Sequence, residues 1–207
     1  MTNSVKPKQG SPSRWRHAGA SALTAAGLLI AGATPAQAAT DRTPATNGLA
    51  SLVSLSAERL LLADKVAAAK FGTTTPIEDP VREQQVLDQA AGLATEAGVD
   101  TEDTVAFFRA QIEMSKVVQR RLYDLWTRHP ELAPAERPDL ATEVRPQLDR
   151  ITVAFIGQLA ASDDLRGPTL RCVFSLIGAE AAAERRFHLD AQHENALRGA
   201  VRPLCAA

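Results

Sequence analysis

The chain has 207 residues and a formal net charge of −1, with 23 Lys and Arg residues against 24 Asp and Glu residues. That length suits one ordinary domain, or one domain that follows a processed leader. A chain with no basic excess is not built to bind nucleic acid, so this class of function is excluded.

The first 38 residues have the composition of a secretory signal peptide. They contain four basic residues and no acidic residue, followed by the apolar run AGASALTAAGLLIAGA and the cleavage motif Ala36-Gln37-Ala38. The run is too short and too rich in Ala and Gly for a stable membrane span, although a retained anchor is the alternative. We therefore expect cleavage after Ala38, a secreted or periplasmic product, and no membrane association of the mature chain.

The mature chain is predicted to be all-α. Residues 39–48 form an expected flexible lead-in and residues 49–207 a single helical domain, because no stretch shows the sustained alternation typical of strands. Proline and glycine residues divide this domain into predicted helices over 47–71, 80–97, 101–129, 139–163 and 168–200. We expect a bundle of five to six helices with the active site inside it.

Two cysteines, Cys172 and Cys205, lie in the mature region. An exported chain meets an oxidising compartment, so a disulfide between them is expected. A metal site built from two lone cysteines is not expected.

Removal of the leader takes away four basic residues and no acidic residue, which gives the mature chain a formal charge of −5.

Two cations interrupt the apolar face of the first predicted helix. That face runs through Leu52, Leu55, Arg59, Leu62, Val66 and Lys70. The eleven residues from Arg59 to Lys70 make three full turns, so both side chains point the same way about 16 Å apart. A snorkelling side chain explains either one alone.

Other helices carry polar side chains on their apolar faces in the same manner. Ser115 and Gln119 interrupt the third helix, Arg82 lies on the face of the second, and Arg145 lies on the face of the fourth. Four cations that converge inside a bundle need anions, because an unpaired buried charge costs several kcal/mol. Asp79 and Glu83 can supply two negative charges. The surplus predicts a pocket for a small ligand with two carboxylates.

These residues give the chain a resemblance to the all-helical chorismate mutases, in particular the exported subclass. The resemblance covers the mature chain and is most specific in the series of site residues, whose spacing matches the family without a gap. That series runs Arg59, Lys70, Asp79, Arg82, Glu83, Ser115, Gln119. The PIED motif at 76–79 and the Cys172/Cys205 pair are similar to exported members.

The resemblance implies an isomerase that rearranges chorismate to prephenate, a step in the chemistry of aromatic amino acid biosynthesis, with no cofactor and no metal. Lys70 and Gln119 would be catalytic and donate hydrogen bonds to the ether oxygen whose bond breaks. The substrate-binding residues implied are Arg59, Arg82, Arg145, Asp79, Glu83 and Ser115. The expected partner is the small molecule chorismate. A homodimer is possible, although Arg145 could complete the site within one chain.

The fourth helix departs from the family pattern. An ungapped alignment places Val144 where relatives have arginine, and a shift of one residue brings in Arg145. We favour Arg145, because the shift also aligns Leu148 and Ile151, and keep Arg150 as the alternative.

Two rival interpretations remain. A non-catalytic exported module could bind a small dicarboxylate or a protein partner with the same residues. A metal site in FHLDAQHEN would use His188, Asp190, His193 and Glu194. On a helix, however, the two histidines diverge by about 140°, and we favour a solvated face there.

Overall fold

A computed structural model describes residues 48–206, which form six α-helices and no strand. The predicted signal peptide, its cleavage site and all but the last residue of the predicted lead-in lie outside these residues. The helices are α1 Gly48–Lys70, α2 Pro80–Ala97, α3 Thr101–Arg128, α4 Arg145–Ala161, α5 Leu170–Phe187 and α6 Ala191–Val201. The predicted all-α class is confirmed. None of the helices described is long and apolar enough to cross a membrane.

Short helical turns join the longer helices. A π-helical turn, Leu140–Val144, leads directly into α4, and 3-10 turns occur at Pro130–Leu132, Asp163–Leu165 and Arg202–Cys205. The predicted helix over 139–163 is therefore α4 with a turn of different pitch at each end.

Local capping groups set the boundaries between α2 and α3. Gly98 ends α2 with a φ of 68°, a left-handed conformation that glycine adopts without a steric cost. The side chain of Asp100 then accepts a hydrogen bond of 2.8 Å from the backbone N–H of Asp103 and starts α3. These signals explain why the predicted limits of both helices are within one residue of the observed ones.

The prediction of a single helix over 168–200 is wrong. The chain breaks at His188, which has a φ of 51° and ends α5, while the N–H of Leu189 donates to the carbonyl of Glu184. Asp190 then caps α6 by accepting a 2.9 Å bond from the N–H of His193. A left-handed residue followed two positions later by a capping aspartate lets two helices meet without a glycine or proline.

The first helix lies at the centre of the bundle. It packs against α3, α4, α5 and α6, whereas α2 packs against α3 and α4. Fully buried Leu49, Leu52 and Leu60 of α1 belong to one core with Phe107, Phe108 and Phe155, whose rings meet edge to face at 5.0 to 5.8 Å. Packing on several sides fixes the orientation of α1 and therefore of its polar residues.

The predicted disulfide is confirmed. Cys172 in the first turn of α5 is bonded to Cys205 in the last turn of the described chain. Near it, the N–H of Gly167 donates to the carbonyl of Leu204 at 3.0 Å. In the chain-entropy model, a bridge across 33 residues stabilises a fold by about 3 to 4 kcal/mol.

His193 is buried, which contradicts the interpretation of its segment as a solvated face. Its side chain bridges two carboxylates, with Nε2 3.0 Å from Asp64 of α1 and Nδ1 2.8 Å from Asp190. The hydrogen bond to Asp64 comes first among the causes that raise the pKa of His193 to about 9. Among residues 48–206, no group of three His, Cys, Asp or Glu side chains could hold a metal ion.

The His193 bridge predicts a pH dependence of stability. Because the folded pKa of about 9 lies above the ordinary 6.5, the charged imidazolium contributes stability below pH 6.5 that is lost as the pH rises to 9. Both carboxylates are partly exposed, so the contribution is reduced by solvent to about 1 to 2 kcal/mol. Urea unfolding at pH 6 and pH 9 should show this loss in the wild type and a smaller one in His193→Gln. His188→Asn, which removes an exposed histidine, is the control and should behave like the wild type.

Candidate active site

The eight residues predicted to bind substrate or catalyse a reaction line one cavity between α1, α2, α3 and the start of α4. The cavity has a volume of about 990 Å³, counting the space at its open mouth. The eight are Arg59, Lys70, Asp79, Arg82, Glu83, Ser115, Gln119 and Arg145. Four segments that are distant in sequence therefore contribute to one site, and their individual roles stay predictions.

Arg59 of α1 is the most deeply buried cation of the site. Its side chain lies in the cavity wall, it is only 7% exposed, and its Nε has no hydrogen-bond partner. Burial, and after it the charge of the nearby Arg82, lower the pKa of Arg59 to about 10, although Asp149 acts in the opposite direction. The guanidinium thus retains capacity to bind an anion in the cavity.

Lys70, the last residue of α1, is held by the loop that follows it. Its Nζ donates to the backbone carbonyls of Pro76 at 2.9 Å and Ile77 at 3.4 Å. Burial lowers the pKa of Lys70, and the carboxylates around it, Asp79 first among them, act in the opposite direction. Two carbonyls therefore fix the ammonium at the cavity, while a third N–H bond remains available.

Reciprocal capping at the start of α2 places the acidic residues. Asp79 accepts a 3.0 Å hydrogen bond from the N–H of Arg82, while Glu83 Oε1 accepts a 3.3 Å bond from the N–H of Asp79. Such reciprocal bonds satisfy N–H groups that have no partner inside the helix. Pro80 is well suited to this first turn because it lacks an N–H. The local fold of α2 thus brings Asp79, Arg82 and Glu83 to the cavity together.

Ser115 and Gln119 lie one turn apart on the cavity side of α3. The Nε2 of Gln119 donates to Ser115 Oγ at 3.2 Å. Gln119 is 4% exposed, and its Oε1 is buried with no partner. A buried amide that is only half satisfied is destabilising, so the pair has unused capacity for a ligand.

Lys116 also lines the cavity, although the sequence pattern did not predict it as a site residue. Its Nζ lies 2.9 Å from Glu83 Oε2 and 2.7 Å from Glu113 Oε1. Burial alone would lower the pKa of Lys116, but the bonds to both carboxylates outweigh it and leave the pKa raised. The sequence spacing could have indicated this position. Lys116 follows the buried Ile112 by four residues and therefore lies on the same side of α3.

Arg145 lines the cavity and Arg150 does not. Arg150 lies on the surface, where its Nη2 is 3.3 Å from Glu58 Oε2. A π-helical turn, Leu140–Val144, comes directly before Arg145. In such a turn the N–H of Val144 bonds to the carbonyl of Asp139, which accommodates one extra residue before α4 begins.

The cavity carries an excess of two positive charges. Its cationic residues are Arg59, Lys70, Arg82, Lys116 and Arg145, and its acidic residues are Asp79, Glu83 and Asp149. Apolar side chains complete the wall, namely Val66, Ile77, Val86, Ile112, Leu140, Val144 and Leu148. A site of this kind suits a small dianion with an apolar framework.

Comparisons with known proteins agree with this geometry. The family profile "Chorismate mutase type II" matches residues 50–120. The secreted chorismate mutase of Mycolicibacterium smegmatis is 35% identical over 139 residues, which are 67% of this chain and 74% of that protein. The secreted chorismate mutase of Mycobacterium tuberculosis is 30% identical over 181 residues, which are 87% of this chain and 90% of that protein.

A solved structure shares the fold over most of its length. The crystal structure of chorismate mutase from Burkholderia thailandensis superposes with a TM-score of 0.73 and 36% identity. The match covers 77% of this chain and 99% of that one.

The burial of Arg59 predicts a conflict between stability and ligand binding. Replacement by a methionine of similar length removes a buried charge with an unsatisfied Nε, so Arg59→Met should stabilise the free protein by about 1 to 3 kcal/mol. Urea unfolding measures this change. The exposed Arg150→Met is the matched control, with an expected change within about 0.5 kcal/mol. A loss of stability in Arg59→Met would mean that the guanidinium supports the fold rather than a ligand.

Proposed function

The chain belongs to the family of chorismate mutases, which rearrange chorismate to prephenate, and we propose that the cavity between α1, α2, α3 and α4 is its active site. The observation that carries this proposal is the convergence of eight residues from four segments on one cavity. Chorismate has two carboxylates, and the excess of two positive charges in the cavity matches them.

The first task of the site is to restrain a flexible substrate. The rearrangement forms a carbon–carbon bond between the enolpyruvyl arm and the ring of the same molecule, so the arm must lie over the ring. We assign this restraint to Arg59, Arg82 and Arg145, which approach the cavity from three helices. Charge-assisted bonds to two carboxylates lower the entropic part of the barrier, because both ends of the substrate are held.

The second task is to stabilise charge on the ether oxygen as its bond to the ring breaks. We assign the ammonium of Lys70 and the amide of Gln119 as donors to this oxygen. The carbonyls of Pro76 and Ile77 hold Lys70 before the substrate arrives, so little reorganisation is needed in the transition state.

The amide of Gln119 needs one rotation for this role. When it turns by 180°, the Ser115 hydroxyl can donate to Oε1, and Nε2 is free to donate into the cavity. The turn gives a partner to the buried Oε1, which has none in the free protein. Because an amide donates without first gaining a proton, Gln119 can act over a wide pH range.

The acidic residues are assigned to the ring hydroxyl of the substrate. Glu83 would accept this hydroxyl, with Asp79 beside it, and Ser115 would hold a substrate carboxylate. A carboxylate can accept about four hydrogen bonds, and the two that Glu83 accepts from Asp79 and Lys116 leave room for another. The proposed mechanism uses positioning and electrostatics alone, which together need supply about 8 kcal/mol, at the low end of the enzymatic range.

Export is also part of the proposal. Relatives of this chain are named secreted chorismate mutases, which supports secretion of this protein. We propose that residues 1–38 are a signal peptide cleaved after Ala38, that 39–48 are a lead-in, and that 49–207 are the catalytic domain. One chain contributes every residue assigned to the site, so a homodimer would not be needed to complete it.

Loss of chorismate absorbance tests the function directly. The purified exported protein should consume chorismate and form prephenate, and Lys70→Ala should reduce kcat by at least about 1000-fold, because a donor to the breaking bond is lost. Lys65→Ala removes an exposed lysine of the same helix that does not line the cavity, and should retain wild-type rates. Circular dichroism should show an intact fold in both variants. Saturable binding without turnover would instead indicate a non-catalytic binding module.

A second pair of variants tests which arginine of α4 binds substrate. Arg145→Ala should lower kcat/KM by about 100-fold or more, since a charge-assisted bond to a carboxylate is lost. Arg150→Ala should leave kcat/KM within about twofold, because its guanidinium pairs with Glu58 outside the cavity. The reverse order would assign Arg150 to the site.

A further inference from the structure

A buried lysine connects α3 to the start of α2 at the edge of the cavity. Lys116 is 8% exposed, and its ammonium bonds to Glu83 of α2 and to Glu113 of its own helix. The two contacts differ in burial, because 25% of the Glu83 side chain is exposed against 48% of the Glu113 side chain. Loss of one partner from a half-buried pair is costly, so the link to Glu83 is the stronger constraint.

Both oxygens of Glu83 are held by separate groups. Oε1 accepts the N–H of Asp79 at 3.3 Å, and Oε2 accepts from Lys116 Nζ at 2.9 Å. The backbone contact alone leaves the carboxylate free to turn about its last bond. The contact with Lys116 removes that freedom and ties Glu83 to the helix that carries Ser115 and Gln119.

We propose that Lys116 is a positioning residue for the rearrangement, which holds the Glu83 carboxylate in the orientation that accepts the ring hydroxyl of the substrate. This inference rests on the proposed function and deepens it. Lys116 acts through Glu83 and is not itself assigned a contact with the reacting atoms.

The charges around Glu83 explain why this lysine is needed. Lys70 from α1, Arg82 from α2 and Lys116 from α3 line the cavity with Glu83, and Arg109 shares a small neighbouring cavity with it. Asp79 and Glu113 are the nearby acids. Lys70 and Arg82 are assigned to the substrate, whereas Lys116 bonds directly to Glu83. Without Lys116, the bond that orients Glu83 Oε2 is lost.

Steady-state kinetics test this role. Lys116→Met should lower kcat/KM by about 10- to 100-fold at neutral pH, mainly through a higher KM, because the bond to the ring hydroxyl exists before and during the reaction. Lys116→Arg keeps the charge and should restore most of the activity. Glu113→Gln removes only the other partner and should leave kcat/KM unchanged.

A double variant separates positioning from a structural effect. In the Glu83→Gln background, Lys116→Met should add less than about threefold to the loss in kcat/KM, because both changes remove the same interaction. If Lys116→Met does not fold by circular dichroism, Lys116→Gln replaces it in the same comparison.

The outcomes are distinct. An active wild type with an unchanged KM in Lys116→Met, or additive losses in the double variant, would overturn the positioning role alone. A wild type that does not consume chorismate would overturn the proposed function and this role with it.

Discussion

The main physical constraint on this structure is the free-energy cost of burying an arginine inside a helical bundle. Arg59 is buried, and its Nε has no hydrogen-bond partner. The positive charge of the neighbouring Arg82 adds electrostatic repulsion to the cost of burial. Taking such a charge out of water costs several kcal/mol. The protein tolerates this cost because α1 is packed on its other sides by an apolar core. Under the proposed function, a dianionic substrate would supply the missing partners, and the energy withheld from folding would become available for binding.

Short-range backbone devices place the other charged groups around Arg59. Loop carbonyls hold the ammonium of Lys70, capping at α2 holds Asp79 and Glu83, and a π-helical turn sets the position of Arg145. The side chains of Lys70, Asp79 and Glu83 are thereby held before a ligand arrives. Such preorganisation suits a chorismate mutase, whose reaction needs restraint and electrostatic stabilisation more than chemical participation by the protein.

Contacts outside the site have a different function. His193 joins α6 to Asp64 of α1, and the Cys172–Cys205 disulfide joins α5 to the C-terminal turn. The first contact ties α6 to the central helix, and the second ties α5 to the C-terminal turn. Both lie away from the cavity. These contacts support the fold, whereas Arg59 Nε and Gln119 Oε1 of the cavity have no partner.

The sequence by itself determined the helical class, the limits of α2 and α3, and the residues that share a face of α1 or α3. These features are local, because proline, glycine and capping residues act on neighbouring backbone groups and a period of 3.6 residues fixes each face. It also contained a capping aspartate at Asp190, yet the break at His188 was missed because no glycine or proline marks it.

Only the tertiary structure decided which side chains meet across helices. It brought Arg145 rather than Arg150 to the cavity, because a π-helical turn changes the phase of the helix that follows. It also paired Lys116 with Glu83, 33 residues apart, and buried His193 against Asp64, 129 residues apart. Helical periodicity describes one helix at a time, whereas these pairs depend on how separate helices pack, which no local pattern specifies.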